Sequence, residues 1–448
     1  MANVQQVKRI IEDLKNPRAY FRSKAIENLM AITDASLIPE MSRLFSKEPD
    51  FVKIQFCRFL GRIRGELAVP PLVILLLDKS EKIAQEAANA LDRIDNDRKT
   101  EAMMLILKRG NHFSKIYAIK ALGQGRKIKA VPVLIKLLPS GGPDIKEAAV
   151  EALRLIGDPS AIGPLLKLLD EKNERVIYNL LFALGEMGEQ KAAPDIMKFL
   201  SHHDQYIRKA AVWALGKLGY RKAIPKLIQI LRYDESEIVR EEAAKRLGQI
   251  GRAEVVKPLL YSKVFDKAHN VMVYSDWALS DMSAENKVGT LLKLTDEKDE
   301  TLRGQAFLEI AKISNIKFLK FLRIALSEDK SEYTRTCIAE GLGFMNIPEV
   351  KNILKNLLKD TTPVRRKAAD SLLRVATSED SELAANMVQG ALCDDSYIRE
   401  IGIKIIEKIY RDSFVPEDIM ELLKGLVAGQ DEAIKKAAEE AISKLNVK

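Results

Sequence analysis

The chain has 448 residues, of which 47% are hydrophobic, 30% charged and only 6% aromatic. Such a composition excludes wholesale disorder, and the longest charge-free apolar run, Leu67–Leu77, is too short to cross a bilayer, which takes roughly 18 residues, so no membrane segment is expected. The formal net charge of +9 falls entirely in the first third: residues 1–150 carry 26 Lys and Arg against 17 Asp and Glu, and the remainder carries 46 against 46.

The N-terminal string MANVQQVKRIIEDLKNP lacks the apolar core of a secretory leader. Three scattered cysteines, Cys57, Cys337 and Cys393, imply no disulfide framework and lead us to expect a reducing, cytoplasmic setting. From here on the chain repeats itself. A leucine-like position recurs at Leu29, Leu60, Leu91, Leu122, Leu153, Leu184 and Leu215 in steps of 31 residues. It continues at Leu247, Leu279, Ile310, Leu342, Leu372, Ile406 and Ile442 in steps of 30 to 36, which makes fourteen units. A second column stands eight residues earlier, among others at Val52, Ile83, Val176, Ile207, Val239, Val364 and Ile398. Eight residues is a little over two helical turns, so both columns share one helix face. Small residues between them, as at Ala148-Ala149, Ala210-Ala211 and Ala243-Ala244, let neighbouring helices come close.

An earlier apolar helix precedes each of these. Pro39, Pro70, Pro132, Pro164, Pro194, Pro225 and Pro258 stand where it opens, since a first helical turn does not need the missing N–H. Gly157, Gly188, Gly219 and Gly251 mark the ends of the second helices, and Asp158 is placed to cap the next helix. One unit therefore reads as helix A, a short turn, helix B and a glycine stop.

The strings AVPVLIKLL, DQYIRKAAVWALGKLG and ESEIVREEAAKRLGQIG, within Ala130–Leu260, resemble HEAT repeats, particularly the short HEAT-like class of the phycobiliprotein lyases. The resemblance extends over almost the whole chain. It implies an all-α fold, a right-handed α-solenoid of about fourteen HEAT-like two-helix repeats, forming one domain over 1–448. Within it, 252–282 reads as an irregular repeat with a long polar loop and a bend or hinge, and 412–448 as an atypical C-terminal capping repeat, with long loops near Asp412–Glu417 and Gly425–Asp431. An arginine follows the second column at Arg22, Arg208, Arg240, Arg303, Arg335, Arg365 and Arg399, with Asp204, Asp234, Asp360 and Asp395 just upstream. In HEAT proteins such arginines reach the inter-helix loop of an adjacent unit, so a structural Asp–Arg ladder is expected rather than a set of phosphate ligands.

Signals for catalysis are sparse. The four histidines, His112, His202, His203 and His269, form no HExxH string or His-Glu pair of the kind that HEAT-like metal hydroxylases need. Adjacent His202 and His203 are expected to point apart. Gly123-Gln-Gly125 follows no strand and does not read as a phosphate loop. We therefore expect no catalytic, cofactor or metal site and no enzyme.

Two clusters stand out. Two residues before the key leucine, the B-helix column reads Glu151, Phe182, Trp213, Lys245, Trp277 and Leu308; its four large apolar members, with Tyr178 and Tyr274 beside them, number six. Exposed B-helix positions line the concave face of HEAT proteins, and aromatic residues are favoured binding anchors. These six residues are the expected site for a peptide or helix of a partner protein. The second cluster is basic: Lys108, Arg109, Lys115, Lys120, Arg126, Lys127 and Lys129, an anion-binding candidate for nucleic acid. The leading expectation is a non-enzymatic interaction scaffold. The alternatives are a DNA glycosylase-like groove, against which the aromatic and basic clusters fall in different thirds, and a bilin lyase-like activity.

Overall fold

A computed structural model describes residues 4–392 and 395–445; Cys393 lies outside them. Among the described residues there are 28 α-helices and no strands. They fall into fourteen consecutive A–B pairs, from Val4–Leu14 with Ala19–Met30 to Glu417–Val427 with Glu432–Leu445. The chain divides into two compact units, Met1–Ala223 and Ile224–Lys448. Seven pairs fall in each.

Local chemistry explains the pairs. Many A helices start with a 3₁₀ turn that places proline at the first or second α position, as with Pro39, Pro70, Pro132 and Pro194. Side chains cap these turns: Asp34 accepts from Ser36 N and Asp158 from Ser160 N. The B helices Pro143–Ile156, Glu174–Met187 and Glu237–Ile250 end on Gly157, Gly188 and Gly251, each with positive φ. Thirteen of the fourteen key positions are fully buried; the exception, Ile442, is half-buried in the last pair. Phe21 of the first pair, in the second column, is likewise open, at 40% exposure. Terminal pairs have a single neighbour, so one side of their core faces solvent.

Successive B helices meet at a point that the leucine columns do not mark. A Cβ added to Gly123 would stand 2.6 Å from Ala152 Cα, and one on Gly61 would stand 2.9 Å from Ala90 Cβ. Each glycine directly follows a key leucine, and each alanine directly precedes the next.

The ladder is present, and its geometry is specific. Nη1 of Arg303 donates to the carbonyls of Glu297 and Lys298 in its own A–B turn, and Nε donates to Asp329 in the next turn at 2.8 Å. Arg335 repeats this with Asp329 and Lys330 carbonyls and the Asp360 carboxylate, and Arg240 with Asp234 and Glu235 carbonyls and the Asp266 carboxylate. Arg365 reaches Asp395. Arg399 instead donates to the Val388 carbonyl. Some aspartates upstream of an arginine have a second duty, since Asp204 caps its own B helix by accepting from Tyr206 N and Ile207 N.

The repeat at 252–282 keeps both helices, Val256–Phe265 and His269–Asp281. The long polar loop expected there is absent: only 266–268 separates the helices, because His269 already lies in helix B. Its departure lies in packing. Met272 stands where seven copies have the ladder arginine, and Ser280 where six have glycine after the key leucine. The close contact to the following pair runs from the A helix Val256–Phe265 to the B helix Glu300–Lys312. The extra length of the last two steps sits between Val388 and Ser396 and at 411–416. Gly425, expected in a loop, is helical within Glu417–Val427.

Burial opposes ionisation of Asp360, but hydrogen bonds from Arg335 and Thr361 outweigh it and hold this carboxyl below its usual range; Asp329 is held low in the same way by Arg303 and Ser331. A carboxylate whose folded pKa is depressed contributes stability above its unfolded pKa, about 3.9, and loses it as pH falls through the folded value. Arg335→Ala should therefore cost about 1.5–3 kcal/mol at pH 7. It should speed amide exchange in the turns at 329–331 and 360–361, and the gap from wild type should narrow progressively below about pH 4, down to the share held by the two carbonyls. Denaturant titration and hydrogen exchange across pH measure both effects.

Candidate functional site

The expected aromatic column divides between the two units, and each part has its own environment. In the N-terminal unit, Tyr178 and Phe182 lie one turn apart on Glu174–Met187, with ring centroids 4.9 Å apart. Phe182 meets Trp213 of the next B helix, Gln205–Lys217, at 4.4 Å. Trp213 lies over Gly185: a Cβ there would be 2.7 Å from Trp213 Cζ3. Phe182 and Trp213 are half-buried and Tyr178 is exposed. Two of these three rings therefore serve mainly to fill the seam between B helices, and Tyr178 presents the open edge.

In the C-terminal unit, Trp277 is 58% exposed. Tyr274 packs edge-on against it at 5.1 Å, and Lys245 Nζ stands 3.7 Å from the Tyr274 ring centroid. Lys245 is held by Glu241 at 2.6 Å. Leu308 is a correction to the expected site: it is only 5% exposed. The reason is the close approach of the next B helix, Glu332–Leu342, where a Cβ on Gly341 would meet the Leu308 backbone.

Asp276, next to Trp277 in the chain, belongs to a charged cluster that the sequence did not single out. Lys263 Nζ is 2.8 Å from both Asp276 and Glu309, and Lys312 Nζ is 2.8 Å from Glu309 and 3.3 Å from Asp276. Glu309 is fully buried, and its Oε2 has no hydrogen-bond partner. Burial disfavours the charged forms of Lys263 and Asp276, yet Glu309 and Asp276 together raise the Lys263 pKa, and Lys263 with Lys312 lowers that of Asp276. Four residues of alternating sign thus fill the region where a B-to-B seam lies in other pairs.

The basic residues are not gathered in one place. Lys108 and Arg109 end the A helix Asp97–Arg109, whereas Arg126, Lys127 and Lys129 lie beyond the far end of the B helix His112–Gln124, about 20 Å away at 1.5 Å per residue. Lys115 and Lys120 lie along that helix. Lys127 is paired with Asp95 at 2.9 Å.

His202 and His203 do not diverge as expected. Their rings lie 4.2 Å apart at 30°, and Glu174 Oε1 is 2.8 Å from His203 Nε2. The three could converge on a metal ion. His202 Nδ1, however, accepts the Asp204 N–H, so a neutral ring carries its proton on Nε2 and offers no free lone pair there. Cys57 and Cys337 are buried, and desolvation pushes their thiols up to about 12 and about 11, which keeps them unreactive.

A further feature had no sequence signal beyond the string LRYDES. Leu231, Arg232, Tyr233, Tyr261, Ser262, Phe265, Asp266 and Lys267 line a cleft of about 420 Å³ between neighbouring A helices. Only folding brings 231–235 beside 261–267.

Models of HEAT repeats match residues 100–178, 162–248, 224–311 and 287–374. No curated protein matches the chain. Among solved structures, the karyopherin Kap121p bound to the extreme C-terminus of the phosphatase Cdc14p superposes with a TM-score of 0.56 at 13% identity, over 98% of this chain and 56% of that one. Kap95p, from a structure describing its effect on RanGDP, gives 0.51 at 14% identity over 98% and 71%. At these identities the likeness concerns the fold.

The two tryptophans report on the two environments. In Trp277→Phe, the remaining Trp213 should emit at shorter wavelength and resist acrylamide. In Trp213→Phe, Trp277 should emit near the solvent-exposed limit and quench several-fold more steeply. Gly185→Ala should perturb only the Trp213 signal.

Proposed function

The chain belongs to the HEAT-repeat family, and from that premise we propose that it is a non-catalytic scaffold that holds a partner protein on the B helices of its middle repeats. The observation that carries this reading is Trp277. A large ring left 58% exposed contributes little to the core; it packs against Tyr274, and its chain neighbour Asp276 belongs to the charged cluster. Trp and Tyr bury much area with few torsions to fix, which suits them to anchor a partner. The ion pairs of Lys263, Asp276, Glu309 and Lys312 hold the base of the site in place, so little order has to be gained on binding. In the N-terminal unit, Tyr178 offers a smaller anchor backed by Phe182 and Trp213.

The solved relatives offer a parallel, since Kap121p holds a chain terminus of another protein. Stacked repeats present long surfaces rather than enclosed pockets, which favours recognition of macromolecules. Buried, unpaired Cys57 and Cys337 suit a reducing, cytoplasmic compartment. No helix among the described residues is long and apolar enough to cross a membrane.

Affinity capture from the native cell tests the proposal. Trp277→Ala should weaken capture of the principal partner at least tenfold, about 1.4 kcal/mol or more, with unchanged helical content. Equal capture by wild type and variant would remove Trp277 from the interface.

A further inference from the structure

The cleft between the A helices Ile224–Tyr233 and Val256–Phe265 combines three properties. First, it is rich in exposed rings: Tyr233 is 72%, Phe265 41% and Tyr261 38% exposed, and Tyr261 and Phe265 lie 4.8 Å apart. Neighbouring open rings of this size are a recognised mark of contact surfaces. Second, it holds two cations that no carboxylate among the described residues pairs with. The Arg232 guanidinium stands 4.8 Å from the Tyr261 ring centroid and 5.7 Å from that of Tyr233, with no carboxylate partner among the described residues; Lys267 has none there either. Of the carboxylates in the wall, Asp266 accepts from Arg240 at 2.9 Å through both oxygens and Asp234 accepts from Ser236 N; Glu235 lines the wall as well. Third, Ser262 in the wall is 3% exposed, and its Oγ has no hydrogen-bond partner. A hydroxyl desolvated without a partner costs free energy that alanine at the same position would not.

We propose that this cleft docks an acidic peptide segment, in which a glutamate or aspartate carboxylate lies against Arg232 and Lys267 and an adjoining apolar side chain packs on Tyr261 and Phe265. Stacking on Tyr261 covers one face of the guanidinium and leaves its N–H edges for a carboxylate. The nearby Asp234, Glu235 and Asp266 weigh against a polyphosphate or nucleic-acid strand, whose crowded charge they would repel, and favour a singly charged group beside an apolar one. The volume, about 420 Å³, suits a few side chains. Three of the ring and cation positions, Tyr261, Phe265 and Lys267, belong to the repeat that departs from the pattern, which gives that departure a use. Such a peptide is a partner chemistry within the scaffold reading, held at a surface distinct from Trp277.

Saturation-transfer NMR on the full chain provides the test, with the peptide acetyl-Glu-Leu-Phe-amide and its neutral counterpart acetyl-Gln-Leu-Phe-amide. The glutamate peptide should bind at least tenfold more tightly, and the preference should shrink in 0.5 M NaCl, as screening by about 1 M salt cuts the Debye length to ~3 Å. Arg232→Gln should remove the preference, Ser262→Ala should weaken the glutamate peptide several-fold, and Trp277→Ala should leave it unchanged, so this site and the Trp277 surface are judged separately. Equal binding of both peptides, no transfer to either, or tighter binding of phenyl phosphate or oligothymidylate than of the glutamate peptide would overturn the proposal. Circular dichroism of Arg232→Gln identifies any loss that comes from misfolding.

Discussion

The distance between successive B helices is the constraint on which the rest of the structure depends. At Gly61, Gly123 and Gly343 there is no room for a Cβ, because Ala90, Ala152 and Ser371 of the next helix stand within 3.0 Å of where it would lie. Packing at that range joins the key leucines of these neighbouring repeats in an apolar seam, and such seams between neighbours are the main source of stability in a repeat protein. The arginine ladder then fixes rotation. The guanidiniums of Arg240, Arg303 and Arg335 each tie the carbonyls of their own turn to the carboxylate of the next, so these successive pairs share a hydrogen-bonded edge as well as an apolar one.

Where this constraint is relaxed, chemistry becomes available. After Leu279 stands Ser280, where six other copies have glycine, and Met272 occupies the place of the ladder arginine found in seven. The contact to the next pair passes to an A helix, and the region between holds Lys263, Asp276, Glu309 and Lys312. A buried ion cluster is a poor source of net stability, because desolvating four charges offsets most of their attraction. Its effect is positional: Asp276 is fixed from two sides, and the neighbouring Trp277 is held outward on the same helix turn.

The repeat was legible in the sequence because apolar burial with a 31-residue period writes itself into every copy. Fourteen key positions predicted fourteen helix pairs, and the ends of three B helices lay at the glycines named for them. The candidate site was legible only in part. Trp277 and Tyr178 are open as expected, but Leu308, in the same column, is covered. Column position gives the direction of a side chain from its own helix; it does not give the distance to the next helix, which Gly341 decides 33 residues later. Phe182 and Trp213 illustrate the same point, since Gly185 lets the neighbouring helix bring Trp213 over them. The two histidines were misjudged for a related reason: backbone alternation implies divergence, but Arg208 binds the carbonyls of both residues and shapes the turn.

The A-helix cleft was invisible to any reading by column, since its two lining segments lie about thirty residues apart and neither carries a motif. What distinguishes it is a balance of partners. Most cations near this edge are held by a carboxylate: Arg240 by Asp266, Arg303 by Asp329, Arg335 by Asp360. Arg232 has only aromatic faces. In a protein whose ladder pairs guanidinium with carboxylate at one repeat after another, a guanidinium stacked between rings and lacking that partner is the position at which a carboxylate from outside the chain completes the pattern.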